Sequence, residues 1–461
     1  MVLNSQSGRD PVTKSKVSRR HFFFGSLLAG AVPSGGFGAV ASLKKLGYKS
    51  PNEKLNVAAI GAGGKGYSDI QGFVKTENLV AMADPDDKRA AKAFNEFPKV
   101  PRYKDFRQMF EKEEKNIDAV TVSTPDHMHG TCAMWAMARG KHVYCQKPLT
   151  RTVWEAQQLT LGAEKYGVAT QMGNQGYSNE GARQCAEIIW SGEIGQVKEV
   201  HAWTNRPLVY WPQGPDVIPK EAAVPETLDW QAWLGGSEMR PFSPAYVPHH
   251  WRGFPDFGCG AIGDMACHIL GTPNMALRLT APTAVEVIKM VGKNKYTFPL
   301  ETVIRFDFPA RGAMAPVSIF WHDGLKKRPS FPGVSDDELL GDSDVNGSLF
   351  IGESGMVTTG CYGERTRLVP ASKMEEYRLP APTLTRSPGH YRDWLRACKG
   401  GEPSCSNFGV AGPFVQWMLL GVIAMNFEGK LMWDVERQHI TNIPAANELL
   451  KPKFRKGWKF S

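Results

Sequence analysis

Several absences narrow the field before any motif is read. The apolar stretch near the N-terminus, FFFGSLLAGAVPSGGFGAV from Phe22 to Val40, is broken by Gly25, Gly30, Pro33, Gly35, Gly36 and Gly38. A membrane-spanning helix needs about 20 consecutive, mainly apolar residues, so no stable membrane insertion of the mature chain is expected. The eight cysteines, at 132, 145, 185, 259, 267, 361, 398 and 405, show no zinc-ribbon spacing, and none precedes Cys132, which leaves no lipobox cysteine near the start. No internal repeat, low-complexity tract or nucleic-acid-reading motif is present. The formal charge of +9 is weak evidence for a polyanionic partner. Arg9, Lys14, Lys16, Arg19 and Arg20 against Asp10 carry +4 of it before residue 42, and part of the rest lies in the tail KPKFRKGWKF, read as a solvated end.

What the N-terminus does contain is SRRHFFF, residues 18 to 24. A basic region, a mildly apolar run and the small triplet Ala39-Val40-Ala41 read as a cleavable signal over residues 1–41, followed by a linker over 42–53. The pair Arg19-Arg20 resembles the twin-arginine signal of bacteria, an address read by a receptor and not an anchor. That route carries folded proteins, so the expected location is periplasmic. A chain folded first in a reducing cytoplasm is expected to keep mostly free thiols. The 420 residues that remain exceed the roughly 250 to 300 at which single cores stop growing, so two domains are expected.

The first domain is read over residues 54–170. LNVAAIG is an apolar, β-branched strand ending in GAGGKG, which gives G-x-G-x-x-G at Gly61, Gly63 and Gly66, with Gly64 and Lys65 inside the turn. The first glycine permits the tight turn, the second lets backbone amides approach a pyrophosphate, and the third allows the following helix to pack closely. NLVAMAD then ends in Asp84, 18 positions after Gly66, near the spacing at which a carboxylate meets the adenosine ribose. A 2′-phosphate there would meet a like charge, so NAD is favoured over NADP; Lys88 and Arg89 nearby weaken that preference. Further on, IDAVTVSTPDHMHG and KHVYCQKPL are buried strands running into polar turns. Ligands of open α/β sheets collect at the carboxyl ends of strands, which directs Thr124, Pro125, Asp126, His127, His129, Gln146 and Lys147 to one crevice. His127 and His129 are two apart in a turn and are assigned no metal.

The glycine turn, the acidic strand end, S-T-P-D-H-x-H and the Lys147-Pro148 pair together resemble the Gfo/Idh/MocA oxidoreductases. The resemblance implies an α/β chain. It begins with an N-terminal Rossmann domain, and a C-terminal α/β domain with an open, largely antiparallel sheet follows. It also implies a nicotinamide cofactor and a sugar or cyclitol substrate. One departure stands out: the family commonly has E-K-P where this chain has Gln146-Lys147-Pro148. Glutamine can hydrogen-bond but holds no charge beside Lys147.

The second domain is read over residues 171–461, with a helix over Glu180 to Ser191, an alternating strand VKEVHAWT, later strands at ETVIRFDF and PVSIFWHDG, and C-terminal helices packing back on the core. Residues 205–258 form a long irregular region rich in proline and tryptophan, a length uncommon unless functional. Its Trp211, Trp230, Trp233 and Trp251 either offer flat faces to a sugar ring or cover the sheet at an oligomer contact. In GCGAIGDMACHIL, Asp264 and His268 are four apart, which puts them on one helix face. With Lys147 they match the family's lysine, aspartate and histidine residue by residue. Carbinol oxidation requires a proton acceptor, assigned to His268, an orienting or substrate-binding partner, Asp264, and a cation at the oxygen, Lys147. Asn174 and Trp251 complete the expected substrate contacts.

The reading is therefore an exported, nicotinamide-dependent oxidoreductase with tightly bound NAD, expected to be a homo-oligomer with no nucleic-acid partner. Redox-neutral glycoside cleavage through a transient ketone, and a non-catalytic cofactor- or sugar-binding protein, are the alternatives.

Overall fold

The computed structural model describes residue 49 and residues 52–207, 210–339 and 346–460. The expected export signal lies outside the described residues. Among them, no helix is long and apolar enough to cross a membrane.

The first sheet has six parallel strands: β1 (Asn56–Ile60), β2 (Asn78–Ala83), β3 (Arg102–Tyr103), β4 (Ala119–Val122), β5 (His142–Cys145) and β6 (Thr170–Met172), in the order 3-2-1-4-5-6. This order reverses between β1 and β4, and the crevice at that reversal is where such sheets bind dinucleotides. Helices cover both faces, so the central strands are buried on each side and read as continuous apolar runs. Four helices matter for the site: α1 (Lys65–Phe73), α2 (Asp87–Glu96), α3 (Asp126–Met137) and α4 (Val153–Tyr166). Asp86 caps α2 through the amides of Lys88 and Arg89, and Thr152 with Glu155 forms a capping box on α4.

The second sheet has nine strands: β7 (Val197–Trp203), β8 (Ala284–Val291), β9 (Glu301–Phe308), β10 (Val317–Asp323), β11 (Gly347–Gly352), β12 (Met356–Gly360), β13 (Arg367–Val369), β14 (Lys430–Asp434) and β15 (His439–Ile440). Only the β7–β10 pair is parallel, so the sheet is mixed and mostly antiparallel. Two late helices return to the first domain. α5 (His390–Cys398) lies against α1, and α6 (Phe408–Ala424) lies against α4.

Two elements depart from the sequence reading. The basic tail keeps its lysines exposed but is docked: Trp458 lies under Arg107 at 4.0 Å, Phe460 meets Trp154 at 4.9 Å, and the Arg455 amide donates to the Gly236 carbonyl. The irregular region is a small core of its own, in which Trp230 and Trp233 stack at 4.8 Å among Phe242, Tyr246, Trp251 and Phe257. All eight cysteines are free thiols.

Candidate active site

The glycine turn lies between β1 and α1 with no room for side chains. A Cβ on Gly61, whose φ is +86°, would strike the Ser123 carbonyl, and one on Gly66 would strike the Gly61 carbonyl. The backbone is thereby brought to the mouth of the cleft with α1 starting behind it, an arrangement that suits a pyrophosphate. Asp84 closes the turn from β2: its Oδ2 accepts from the amides of Ala62 (2.8 Å) and Gly63 (3.1 Å), and its Oδ1 from Asp86 N (3.0 Å). Burial raises its pKa, and those three amides oppose the rise. The side chain of Arg89 lies over Gly63 and Gly64.

At the other end of the cleft three sequence-predicted residues converge. Lys147 Nζ donates to Asp264 Oδ1 and to the Asp264 main-chain oxygen, both at 2.7 Å. A second cation shares that carboxylate oxygen: Arg252 Nε, at 2.9 Å. Burial alone would raise the Asp264 pKa, but Lys147 and Arg252 outweigh it and hold the carboxyl well below its ordinary range. His268 is buried, with its ring tilted against that of Tyr362 at 4.7 Å. Burial, reinforced by Lys147, drives its pKa far down, so it is a neutral imidazole, and its Nδ1 has no partner among the described residues. Asn174 is fully buried, and neither end of its amide has a partner among the described residues. Unsatisfied buried polar atoms are costly, and a polar ligand would relieve these.

The aspartate does not orient the histidine, contrary to the spacing argument. Residues Ile262–Ala266 form a π-helical turn, and the Asp264 carboxylate goes to Lys147 and Arg252. The two cations claim the carboxylate, and His268 feels Asp264 only through its charge.

His127 and His129 are also corrected. Both lie in the first turn of α3 and are buried. His127 Nε2 donates to the Trp233 carbonyl at 3.0 Å, with its ring between Trp233 and Phe257. His129 sets its two ring nitrogens against the carbonyls of Pro148 and Thr124 at 2.7 and 2.9 Å. They fasten backbone and do not line the cleft, whereas Thr124 and Pro125 do. Asp126, at the same helix start, is buried with Oδ1 unpartnered, and burial pushes its pKa up to about 7 against the pull of Arg252 and Lys147.

Gln146 lines the cleft but spends its amide donor on a carboxylate of α1. Its Nε2 donates to both oxygens of Asp69, a fully buried carboxylate on α1 that also accepts from Lys65, from Ser123 Oγ at 2.7 Å and from the Tyr391 hydroxyl at 2.7 Å. Sequence reading missed Asp69, although Lys65 and Asp69 stand four apart on one helix face. It also missed Arg252, which no local spacing marks.

One wall of the cleft is built by Gly63, Lys65, Asp84, Thr124, Gln146 and Lys147. The opposite wall comes from the irregular region, through Trp233, Val247, Pro248, His249, Trp251 and Arg252. Trp251 thus reaches the cleft edge, with its indole N–H held by the Pro248 carbonyl at 3.2 Å. This roof is pinned at the end of β2, where Asp87 N donates to Thr227 O at 3.0 Å and Asp229 N to Pro85 O at 2.8 Å. His127 pins it from the other side.

Comparison with known proteins agrees with this layout. Residues 55–174 match the Gfo/Idh/MocA model described as an oxidoreductase family, NAD-binding Rossmann fold, and residues 197–291 match its C-terminal alpha/beta domain. The inositol 2-dehydrogenase of Salmonella typhimurium is 28% identical over 152 residues, 32% of this chain and 45% of that protein. The 1,5-anhydro-D-fructose reductase of Ensifer adhaerens is 25% identical over 186 residues, 40% of this chain and 44% of that protein. The aligned part therefore spans just under half of these curated relatives. Two solved structures share the fold. The WlbA dehydrogenase from Bordetella pertussis, in complex with NADH and UDP-GlcNAcA, has a TM-score of 0.58 at 15% identity, covering 83% of this chain and all of that one. An inositol dehydrogenase homologue from Azotobacter vinelandii, with NADH and myo-inositol, has a TM-score of 0.54 at 16% identity, covering 84% of this chain and all of that one.

Proposed function

We propose that this chain, whose residues 55–174 and 197–291 match the two Gfo/Idh/MocA models, catalyses hydride transfer between bound NAD and a secondary hydroxyl of a sugar, glycoside or cyclitol. The observation that carries the reading is the Lys147–Asp264 ion pair with neutral His268 near enough to feel both charges. The cradle at Gly61–Gly66, with Asp84 at the strand end, fits a dinucleotide, and the acidic residue favours NAD over NADP. When bound, NAD supplies the hydride acceptor. The chain's own residues do the rest. Lys147 presents its ammonium to the reacting oxygen and steadies charge as the O–H proton leaves. His268, neutral and with a free ring nitrogen, takes that proton. Asp264 holds Lys147 in place and Asn174 holds a hydroxyl.

The test is stopped-flow reduction of bound NAD with a panel of polyols, followed by product mass analysis. Lys147→Met and His268→Ala are expected to keep NAD affinity and lose about 10² to 10⁴-fold in turnover. Asp264→Asn is expected to cost as much as Lys147→Met, since its carboxylate anchors two cations. Wild-type reduction rates in both the Lys147 and His268 variants would sink the assignment.

Redox-neutral glycoside cleavage uses the same residues, and the roof over the cleft supports it, because a retained cofactor has to take back its hydride in place. We further propose export by the twin-arginine route, resting on SRRHFFF. Replacing Arg19 and Arg20 by lysine is expected to strand the protein in the cytoplasm, and unchanged delivery would refute it. Assembly as a homo-oligomer is proposed alongside, to be read by light scattering.

A further inference from the structure

We propose that the substrate carries an anionic group, a carboxylate or phosphate on the sugar or polyol, and that Arg252 is the residue that recognises it. The inference rests on the hydride-transfer reading of the site.

The starting point is a charge count around one oxygen. Asp264 Oδ1 accepts from Lys147 Nζ at 2.7 Å and from Arg252 Nε at 2.9 Å, so two cations share one carboxylate. Asp126 is the other acid facing the pair. Burial pushes it up to about 7, so below neutrality it keeps its proton and the surplus is one positive charge. Holding an uncompensated cation in a partly buried site is costly, and an anionic ligand removes the cost.

Arg252 is shaped for that ligand. Its guanidinium rests over the Trp251 ring at 4.3 Å, and the Asp264 bond through Nε fixes its plane. Its four terminal N–H donors have no partner among the described residues, and the side chain lines the cleft while being 23% exposed. A planar fork with two parallel donors is the geometry that binds carboxylate or phosphate bidentately.

Position decides between substrate and dinucleotide. The tether to Asp264 keeps Arg252 at the Lys147 end, whereas the turn that suits a pyrophosphate is served by Lys65 and Arg89. His268, which feels the charges of Lys147 and Asp264 and has no partner for Nδ1 among the described residues, belongs to the same end.

Calorimetric titration of the NAD-loaded protein with D-glucose, myo-inositol, D-glucuronate and D-glucose 6-phosphate tests this without requiring turnover. At least one anionic probe is expected to bind about tenfold or more tightly than both neutral ones, the scale of one charge-assisted hydrogen bond. Arg252→Gln is expected to collapse that ratio towards one, and Arg252→Lys to retain part of it. Equal affinity for neutral and anionic probes in the wild type overturns the proposal, as does an unchanged ratio in Arg252→Gln. Loss confined to NAD affinity in Arg252→Gln overturns it too, by assigning the guanidinium to the dinucleotide. Selective anion binding with no NAD reduction by any probe would instead fault the hydride-transfer reading and leave the anion site standing.

Discussion

The side-chain amide of Gln146 donates to both carboxylate oxygens of Asp69, at 3.1 and 2.9 Å. This contact accounts for the departure from E-K-P. A glutamate at 146 would set two carboxylates against each other in a fully buried position, whereas the amide gives Asp69 a donor alongside Lys65, Ser123 and Tyr391. The negative charge beside the strand that carries Lys147 is present, but it comes from α1.

Gln146→Glu is therefore expected to destabilise the fold by about 1–3 kcal/mol, the cost of a broken buried hydrogen bond with a like charge added. Adding Asp69→Asn restores the donor–acceptor match with the roles exchanged and is expected to recover most of the loss. Urea unfolding of the two single variants and the double variant reads the coupling. Simple additivity would mean that the two side chains do not depend on each other.

Asp126 gives the stability a pH dependence. Its folded pKa is about 7 through burial, while an unfolded aspartate titrates near about 3.9. Between those values the folded chain holds a proton that the unfolded chain has released, so the contribution is full below about 4, falls as pH rises, and is gone above about 7. From pH 5 to pH 8 the wild type is expected to lose about 2–3 kcal/mol relative to Asp126→Asn. Urea midpoints of both proteins at the two pH values check this, and parallel behaviour would show that Asp126 titrates normally.

Much of the first domain was legible because its signals are local. A β-branched run, a glycine turn and an acidic strand end sit within one βαβ unit, and packing only had to obey them. The errors came where tertiary structure overrides local pattern. STPDHMHG reads as a polar turn, yet α3 begins at Asp126 and carries both histidines into the interior. Asp264 and His268 have the spacing of one helix face, but Lys147 and Arg252, from distant segments, claim the carboxylate. Arg252 comes from irregular chain with no period to read, and its role exists only because the roof folds back onto Asp264. In the tail, the lysines and arginines dominate the composition while Trp458 and Phe460 decide the packing.

The roof is expected to slow release of a bound dinucleotide. Trp233, Val247 and Pro248 face Gly63 and Lys65 across the cleft, and the segment carrying them is fastened at the end of β2 by backbone bonds and at α3 by His127. On that side a dinucleotide in this cleft would be covered by the fastened segment. Nucleotide is therefore expected to survive gel filtration with the protein and to be released as NAD on denaturation. His127→Ala removes the donor to Trp233 O and the ring between Trp233 and Phe257 while leaving every cleft-lining residue in place. A buried hydrogen bond and an aromatic contact together are worth about 1–3 kcal/mol, so release is expected to quicken roughly 5- to 150-fold. His127→Phe, which keeps the ring and loses only the bond, is expected to fall between. Exchange of bound NAD against excess labelled NAD gives the rates, with circular dichroism confirming that each variant is folded. If the wild type loses its nucleotide on the first desalting step, or if a folded His127→Ala releases no faster than wild type, the roof is not the barrier. The cofactor would then exchange with solution, and net oxidation with a diffusing nicotinamide would become the working cycle.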